Sequence, residues 1–236
     1  VVTLHRIRVA GTLGPALRVN ANAIAVVAGD FSGATTWNGS PTVADPMSYT
    51  VSLNPSPAGT LRFDSSSVHD NSLYGLQVIG GAANSLRADS VVRNFSRPGE
   101  QASGITSFTA LKLANSAFAA NTPGQFTIQG LPGGTATVDS TMFDSTSVYV
   151  FGTAAFAMHG GTITGADTLP LRVYSIPTVA LSGVEVTGGA SRGISTLTGG
   201  PYAIVVQRAD SVVLDSLWVH DNAASAVWVD TARAIV

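Results

Sequence analysis

Five apolar positions recur with one internal spacing about nine times along this chain of 236 residues, and few folds accept such a pattern. Numbered from the first apolar residue of each unit, they fall at positions 1, 3, 8, 16 and 18. Val2, Leu4, Val9, Leu17 and Val19 make the first unit, and Leu61, Phe63, Val68, Leu76 and Val78 the third. Leu111, Leu113, Phe118, Phe126 and Ile128 repeat the offsets, as do Val212, Leu214, Val219, Val227 and Val229. The other units start on Ile24, Leu86, Ala136, Phe156 and Val179, so the step varies from 20 to 37 residues.

Self-similarity at this period belongs to solenoids and propellers, and strand length decides between them. Each apolar cluster is one residue or two alternating ones, which predicts three very short strands per unit with inward side chains at every second residue. A propeller blade needs roughly 40 residues for its four strands. Three strands and three turns in a shorter unit describe one coil of a parallel β-helix. Asn71, Asn121 and Asn222 fall at position 11, where a tight turn is expected to take the left-handed conformation and an asparagine can stack on the next coil. Asp64-Ser65, Asp89-Ser90, Asp139-Ser140 and Asp215-Ser216, with Asn115-Ser116 and Gly160-Gly161 as variants, supply the turn after the first strand.

On this repeat and these turn residues the chain resembles the right-handed parallel β-helix superfamily, the fold of pectate lyases, polygalacturonases, tailspikes and many bacterial surface proteins. The resemblance covers essentially all 236 residues and implies one single-stranded solenoid domain of about nine coils. It also implies an extracellular or cell-surface location. The last residues, Ala234 and Val236, fit positions 1 and 3 of a tenth unit, and neither end carries a polar cap. The chain therefore reads as an excerpt of a longer protein, or as a unit whose end coils are covered by neighbouring chains.

Composition narrows the function classes. With 12 basic and 14 acidic residues the net charge is -2, which supplies no global field for nucleic acid. No apolar run approaches the roughly 18 residues of a membrane span. The absence of cysteine rules out disulfides and thiolate metal sites. No signal peptide is recognisable within the chain. No cofactor is implied by the residues themselves.

Insertions are expected where surface loops grow, often on a binding face. The longest lies between Phe31 and Val51 and carries Trp37; a second runs through Arg97-Pro98-Gly99-Glu100, and a third from Ser191 to Pro201. All three are placed after the second strand, although Ile194 and Ile204 both fit the third-strand template and leave the last open. Trp37 and Arg97 are candidate rim residues of a ligand site.

The first strand carries the chemistry. Position 2, directed to solvent, is Arg62, Arg87 and Lys112 in three successive units, with Asp64 and Asp89 two residues on and also outward. Stacked coils place those cations in a column about 10 Å long. Like charges opposite one another destabilise, so aspartates or an anion must neutralise them. Asp139, His159 and Asp215 lie farther along the face at position 4. In the polysaccharide lyases and hydrolases that the chain resembles, the polymer lies on this face, with Arg or Lys as base and Asp or Glu as acid or calcium ligand. Arg62, Arg87 and Lys112 would then hold carboxylates, and Asp64 with Asp89 would bind Ca²⁺. The competing reading is a ladder of exposed salt bridges, each worth little.

Enzyme motifs are missing. The Asn-Thr-Asp, paired aspartates, Gly-His-Gly and Arg-Ile-Lys of polygalacturonases are absent, as is the Asp-Pro-His-Asp of alginate epimerases. Val68-His69-Asp70-Asn71 recurs as Val219-His220-Asp221-Asn222, but six coils separate the copies by about 29 Å, too far for one site. Four scattered histidines supply no metal cluster. Trp218 and Trp228 are expected to face outward, suited to sugar stacking or a partner. The sequons at Asn38 and Asn94 read as chance matches. The expected function is a non-catalytic extracellular scaffold making protein or glycan contacts, with a polysaccharide lyase or hydrolase acting on an acidic polysaccharide as the alternative.

Overall fold

A computed structural model describes residues 1–35, 48–95, 101–121, 124–190 and 202–235, and for 101–102 and 231–235 the backbone alone. Trp37, Arg97, the inserted segments that hold them, Ser191 to Pro201 and Val236 lie outside the described residues. The described residues form an all-β solenoid whose parallel strands stack coil on coil. One sheet holds nine strands, one from each coil, in chain order from Arg8–Ala10 to Trp218–His220. This is the second face.

The first and third faces share the other sheet, because several strands run through the corner between them. Leu17–Val27, Tyr49–Asp64, Gln125–Asp139 and Tyr202–Asp215 each serve as the third strand of one coil and the first strand of the next. The expected separate strands survive where a turn breaks the run, at glycines or at Ser175-Ile176-Pro177 between Leu171–Tyr174 and Thr178–Ser182. Gly80 and Gly81, with φ of +98° and +95°, separate Tyr74–Ile79 from Ala83–Arg87.

Inward positions stack from coil to coil as the spacing predicts. Position 8 is a continuous line of Val9, Phe31, Val68, Val91, Phe118, Phe143, Ile163, Val186 and Val219. Phe118 lies 4.2 Å from Phe126 and 5.4 Å from Phe143, so three rings fill the middle of the core. Aromatic pairs at such distances add about 0.5 to 1.5 kcal/mol beyond the area they bury.

Two sharp corners recur in every coil. At position 5, Arg6, Ala28, Ser65, Ala88, Asn115, Ser140, Gly160, Gly183 and Ser216 all take positive φ. At position 10, Gly11, Gly33, Asp70, Arg93, Ala120, Ser145, Gly165, Gly188 and Asp221 do the same. A non-glycine residue loses about 1 to 2 kcal/mol there. Coil stacking offsets the cost, since most of these corner N–H groups find a carbonyl on the next coil, as Ser65 does at Arg87 and Asn115 at Asp139, both 2.9 Å.

The left-handed turn thus sits at position 10, and the expectation that the asparagines at position 11 adopt it is corrected. Those asparagines point inward instead. Asn71 Nδ2 donates to Asn94 Oδ1 at 2.7 Å, and Asn94 Nδ2 donates to Asn121 Oδ1 at 3.3 Å. The same side chains reach backbone groups: Asn71 Oδ1 accepts from Ala34 N–H, and Asn94 Nδ2 donates to the Val68 carbonyl. Asn94 is buried in this ladder, which removes its side-chain amide from solvent.

The fourth coil corrects a second expectation. Leu61 pairs with Asn84, and Phe63 with Leu86, so the coil begins on Asn84 and Leu86 occupies position 3. The template slipped by two residues because position 1 is polar. Asn84 is tolerated there because its Nδ2 donates to the Gly80 carbonyl at 2.8 Å, closing the glycine turn just before it. At the other end Ile235, not Ala234, pairs with Val212 and takes position 1. Ile204 pairs with Leu171, which makes it the third-strand residue and places the last insertion after the second strand.

Candidate binding faces

The corrected register rearranges the first face. Ser85, not Arg87, stands between Arg62 and Lys112 at position 2, so the three cations form no column. Arg87 moves to position 4, directly across from Asp64. A strand repeats its facing every two residues, so Arg87 and Leu86 keep their outward and inward directions. Asp89 does not. It lies beyond the corner at Ala88, at position 6, and only 3% of it is exposed.

Asp89 belongs to a hydrogen-bonded wall running between the first and second faces. Gly29 N–H donates to Ser66 Oγ, Ser66 N–H to Asp89 Oδ1, and Asp89 N–H to Ser116 Oγ. The serines also donate within their own coils, Ser66 to the Asp64 carbonyl and Ser116 to the Ala114 carbonyl, both at 3.0 Å. An aspartate has no proton to donate unless it is neutral. Asp89 Oδ2 is buried without a hydrogen-bond partner, and burial pushes its carboxyl up to about 8. The outward pair of calcium-binding aspartates therefore does not form.

The other first-face candidates are outward, and all but Arg87 have a side-chain partner. Arg62 donates to Asp64 at 2.6 Å along the same strand, which holds the Asp64 carboxyl below its usual range. Lys112 Nζ lies 3.9 Å from Asp139 on the next coil. Asp139, His159, Ser182 and Asp215 share the position 4 column as expected, and His159 Nδ1 meets Ser182 Oγ at 2.7 Å.

On the second face each His-Asp motif forms a clamp between coils. His69 Nδ1 is 2.6 Å from Asp70, and its Nε2 is 2.9 Å from Asp30 of the coil before. Arg93 holds Asp70 from the coil after through two bonds of 2.6 and 2.8 Å, and Arg8 meets Asp30 at 3.2 Å. His220 repeats the clamp with Asp221 at 2.8 Å and Glu185 at 3.1 Å. Both ring nitrogens face carboxylates, an arrangement that only the doubly protonated imidazole satisfies as donor. Asp70 first and Asp30 second raise His69, and Asp221 first and Glu185 second raise His220. These groups neutralise one another, and no cluster of three metal-ligating side chains exists among the described residues.

The third face holds residues that the inward template did not single out. Arg172 lies over the rings of Tyr149 and Tyr174, at 5.2 and 5.5 Å, and Arg208 lies over Tyr174 at 5.1 Å. Phe151 packs on Tyr149 at 4.7 Å, and Arg172 donates to Gln207 at 3.3 Å. Tyr149 and Arg172 are paired residues on neighbouring strands, and Phe151, Tyr174 and Gln207 form the next outward column. The signal was present as aromatic and cationic residues two apart, Tyr149 with Phe151 and Arg172 with Tyr174, in successive third strands.

The two candidate tryptophans face outward as expected. Trp218 is 62% exposed and stacks on His220 at 4.1 Å, while Trp228 stacks on Tyr202 at 5.7 Å. They lie on different faces, Trp218 on the second and Trp228 on the third. No helix among the described residues is long and apolar enough to cross a membrane. No family model, curated protein or solved structure matches the chain.

Proposed function

We propose that this chain is a non-catalytic scaffold of an extracellular or cell-surface protein, whose long faces contact glycans or other protein chains. One observation carries the reading: of the ionisable side chains expected to act on the first face, Arg62, Asp64, Lys112 and Asp139 are held by one another and Asp89 is built into the wall, which leaves Arg87, across from Asp64, as the one cation of the expected column with no ion pair among the described residues. Asp64 is bonded to Arg62, Lys112 lies against Asp139, and Asp89 is buried. A lyase needs a base free to take the proton beside the carboxylate and a cation, from the protein or as Ca²⁺, on that carboxylate. Exposed pairs of this kind contribute about 0 to 1 kcal/mol each to stability, so they keep the stacked strands neutral rather than rigid.

The test is incubation of the chain with polygalacturonate and alginate, with and without Ca²⁺. Unsaturated product is followed by ultraviolet absorbance, and new reducing ends are followed chemically. The scaffold reading expects neither. Product that disappears in Arg62→Ala or Lys112→Ala overturns it.

A further inference from the structure

We infer that the third face of coils six to eight is a binding platform for an anionic glycan strand. Tyr149, Phe151 and Tyr174 stack on its sugar rings, Arg208 takes a carboxylate, and Arg172 adds positive charge between them. The inference rests on the scaffold reading above and gives that scaffold one of its ligands.

Three observations carry it. The platform is continuous, since Tyr149, Arg172, Tyr174 and Arg208 follow one another over three stacked coils with each guanidinium 5.1 to 5.5 Å from a ring centre. Its rings are half-buried, so their remaining surface is open to a ligand. Its charge is not cancelled: Arg8, Arg62, Arg93 and Lys112 sit against aspartates, whereas among the described residues Arg172 and Arg208, like the isolated Arg6 and Arg87, make no ion pair, and only these two also lie over aromatic rings. Asp210 and Asp230 are the carboxylates nearest along the chain and across the ladder, and neither reaches them as a salt bridge.

The chemistry selects the ligand. Arg208 is exposed and stacked by its face on Tyr174, so its N–H edge is open to a carboxylate through two parallel bonds, whereas Arg172 donates from Nη2 to Gln207, keeps Nε buried and adds its charge beside the rings. Aromatic rings beside it offer flat apolar area to the C–H face of a sugar. An acidic peptide would use the two cations and leave that aromatic area idle. A strand of linked uronic acids uses both, with its repeat running along the coil stack.

The test is titration of the whole chain with a calcium-free alginate hexamer by calorimetry, beside cellohexaose and a hexaglutamate peptide. The alginate hexamer is expected to bind at least tenfold more tightly than either. Arg208→Gln, at an exposed corner, and Tyr149→Ala are each expected to weaken it about tenfold, with the wild-type circular dichroism spectrum retained. Wild-type affinity in both Arg208→Gln and Arg172→Gln overturns the platform, as does equal binding of cellohexaose or hexaglutamate, or no binding by folded protein. Reducing-end assays on the same mixtures separate the two readings. Cleavage of a hexamer that binds through the platform removes the scaffold reading alone, and absence of both binding and cleavage removes the platform alone.

Discussion

The backbone N–H of Ser66 donates to Oδ1 of Asp89 at 2.9 Å, placing a carboxyl in a wall position that the neighbouring coils fill with hydroxyls. Each hydroxyl accepts from one coil and donates within its own. A carboxylate can only accept. The wall therefore favours the protonated acid, in line with the rise to about 8 that burial imposes.

Stability follows from that proton. An unfolded aspartate loses it near pH 4 and the folded one near 8, so over that interval the native state binds a proton the unfolded chain has released. The stabilisation is complete below about pH 4 and is lost as pH rises through 8, at a rate of at most about 1.4 kcal/mol for each pH unit crossed. His69 and His220, also raised, add in the same direction, so the difference between proteins is what isolates Asp89. Urea midpoints from pH 4.5 to 8.5 are expected to fall in the wild type and to fall less in Asp89→Asn. Equal slopes in the two proteins would contradict the buried acid.

The two histidine clamps titrate independently. Asp70 is the main partner raising His69, and five coils lie between those of His69 and His220. In Asp70→Asn the His69 midpoint, followed by its imidazole proton resonances, is expected to fall toward the ordinary value while His220 stays where it was. A change in both would show that the clamps communicate.

The asparagine ladder is expected to matter most at its middle. Asn94→Ala strips Asn71 Nδ2 of its acceptor at 2.7 Å and the Val68 carbonyl of its donor at 2.9 Å, both in a buried setting. Leaving buried groups unpaired costs about 2 to 3 kcal/mol. Asn222→Ala, where the side chain is only partly buried and serves Gly189 and Val186 on one neighbouring coil, is expected to cost about half as much. Unfolding free energies from urea transitions compare the two directly.

The apolar ladder was legible because position 3 is apolar in every coil, as at Phe63, Leu86, Leu113 and Val138, all of them buried. Asn84 hid the fourth coil's start, since its role depends on the Gly80 carbonyl, a partner no periodicity announces. The two-residue slip kept Arg87 outward but carried Asp89 across a corner into the wall. The left-handed corners were misplaced by one residue because the corner imposes the conformation whatever the side chain, so Asp70, Arg93 and Ala120 adopt it alike, and no residue preference marks the position. The arginine and tyrosine ladder of the third face escaped notice because outward positions carry no repeat, and only the register sets Tyr149 beside Arg172.

The register of the fourth coil is the point on which both the wall and the first face turn, and the absence of native cysteine makes it measurable. Paired neighbours on parallel strands bring Cα atoms within about 5 Å, inside disulfide range, whereas an offset of two residues separates them by about 8 Å. Arg62→Cys with Ser85→Cys, oxidised in dilute solution, is expected to form an intramolecular disulfide, and Arg62→Cys with Arg87→Cys is not. The reverse result would restore the column of Arg62, Arg87 and Lys112, return Asp89 to the outer face, and contradict the account.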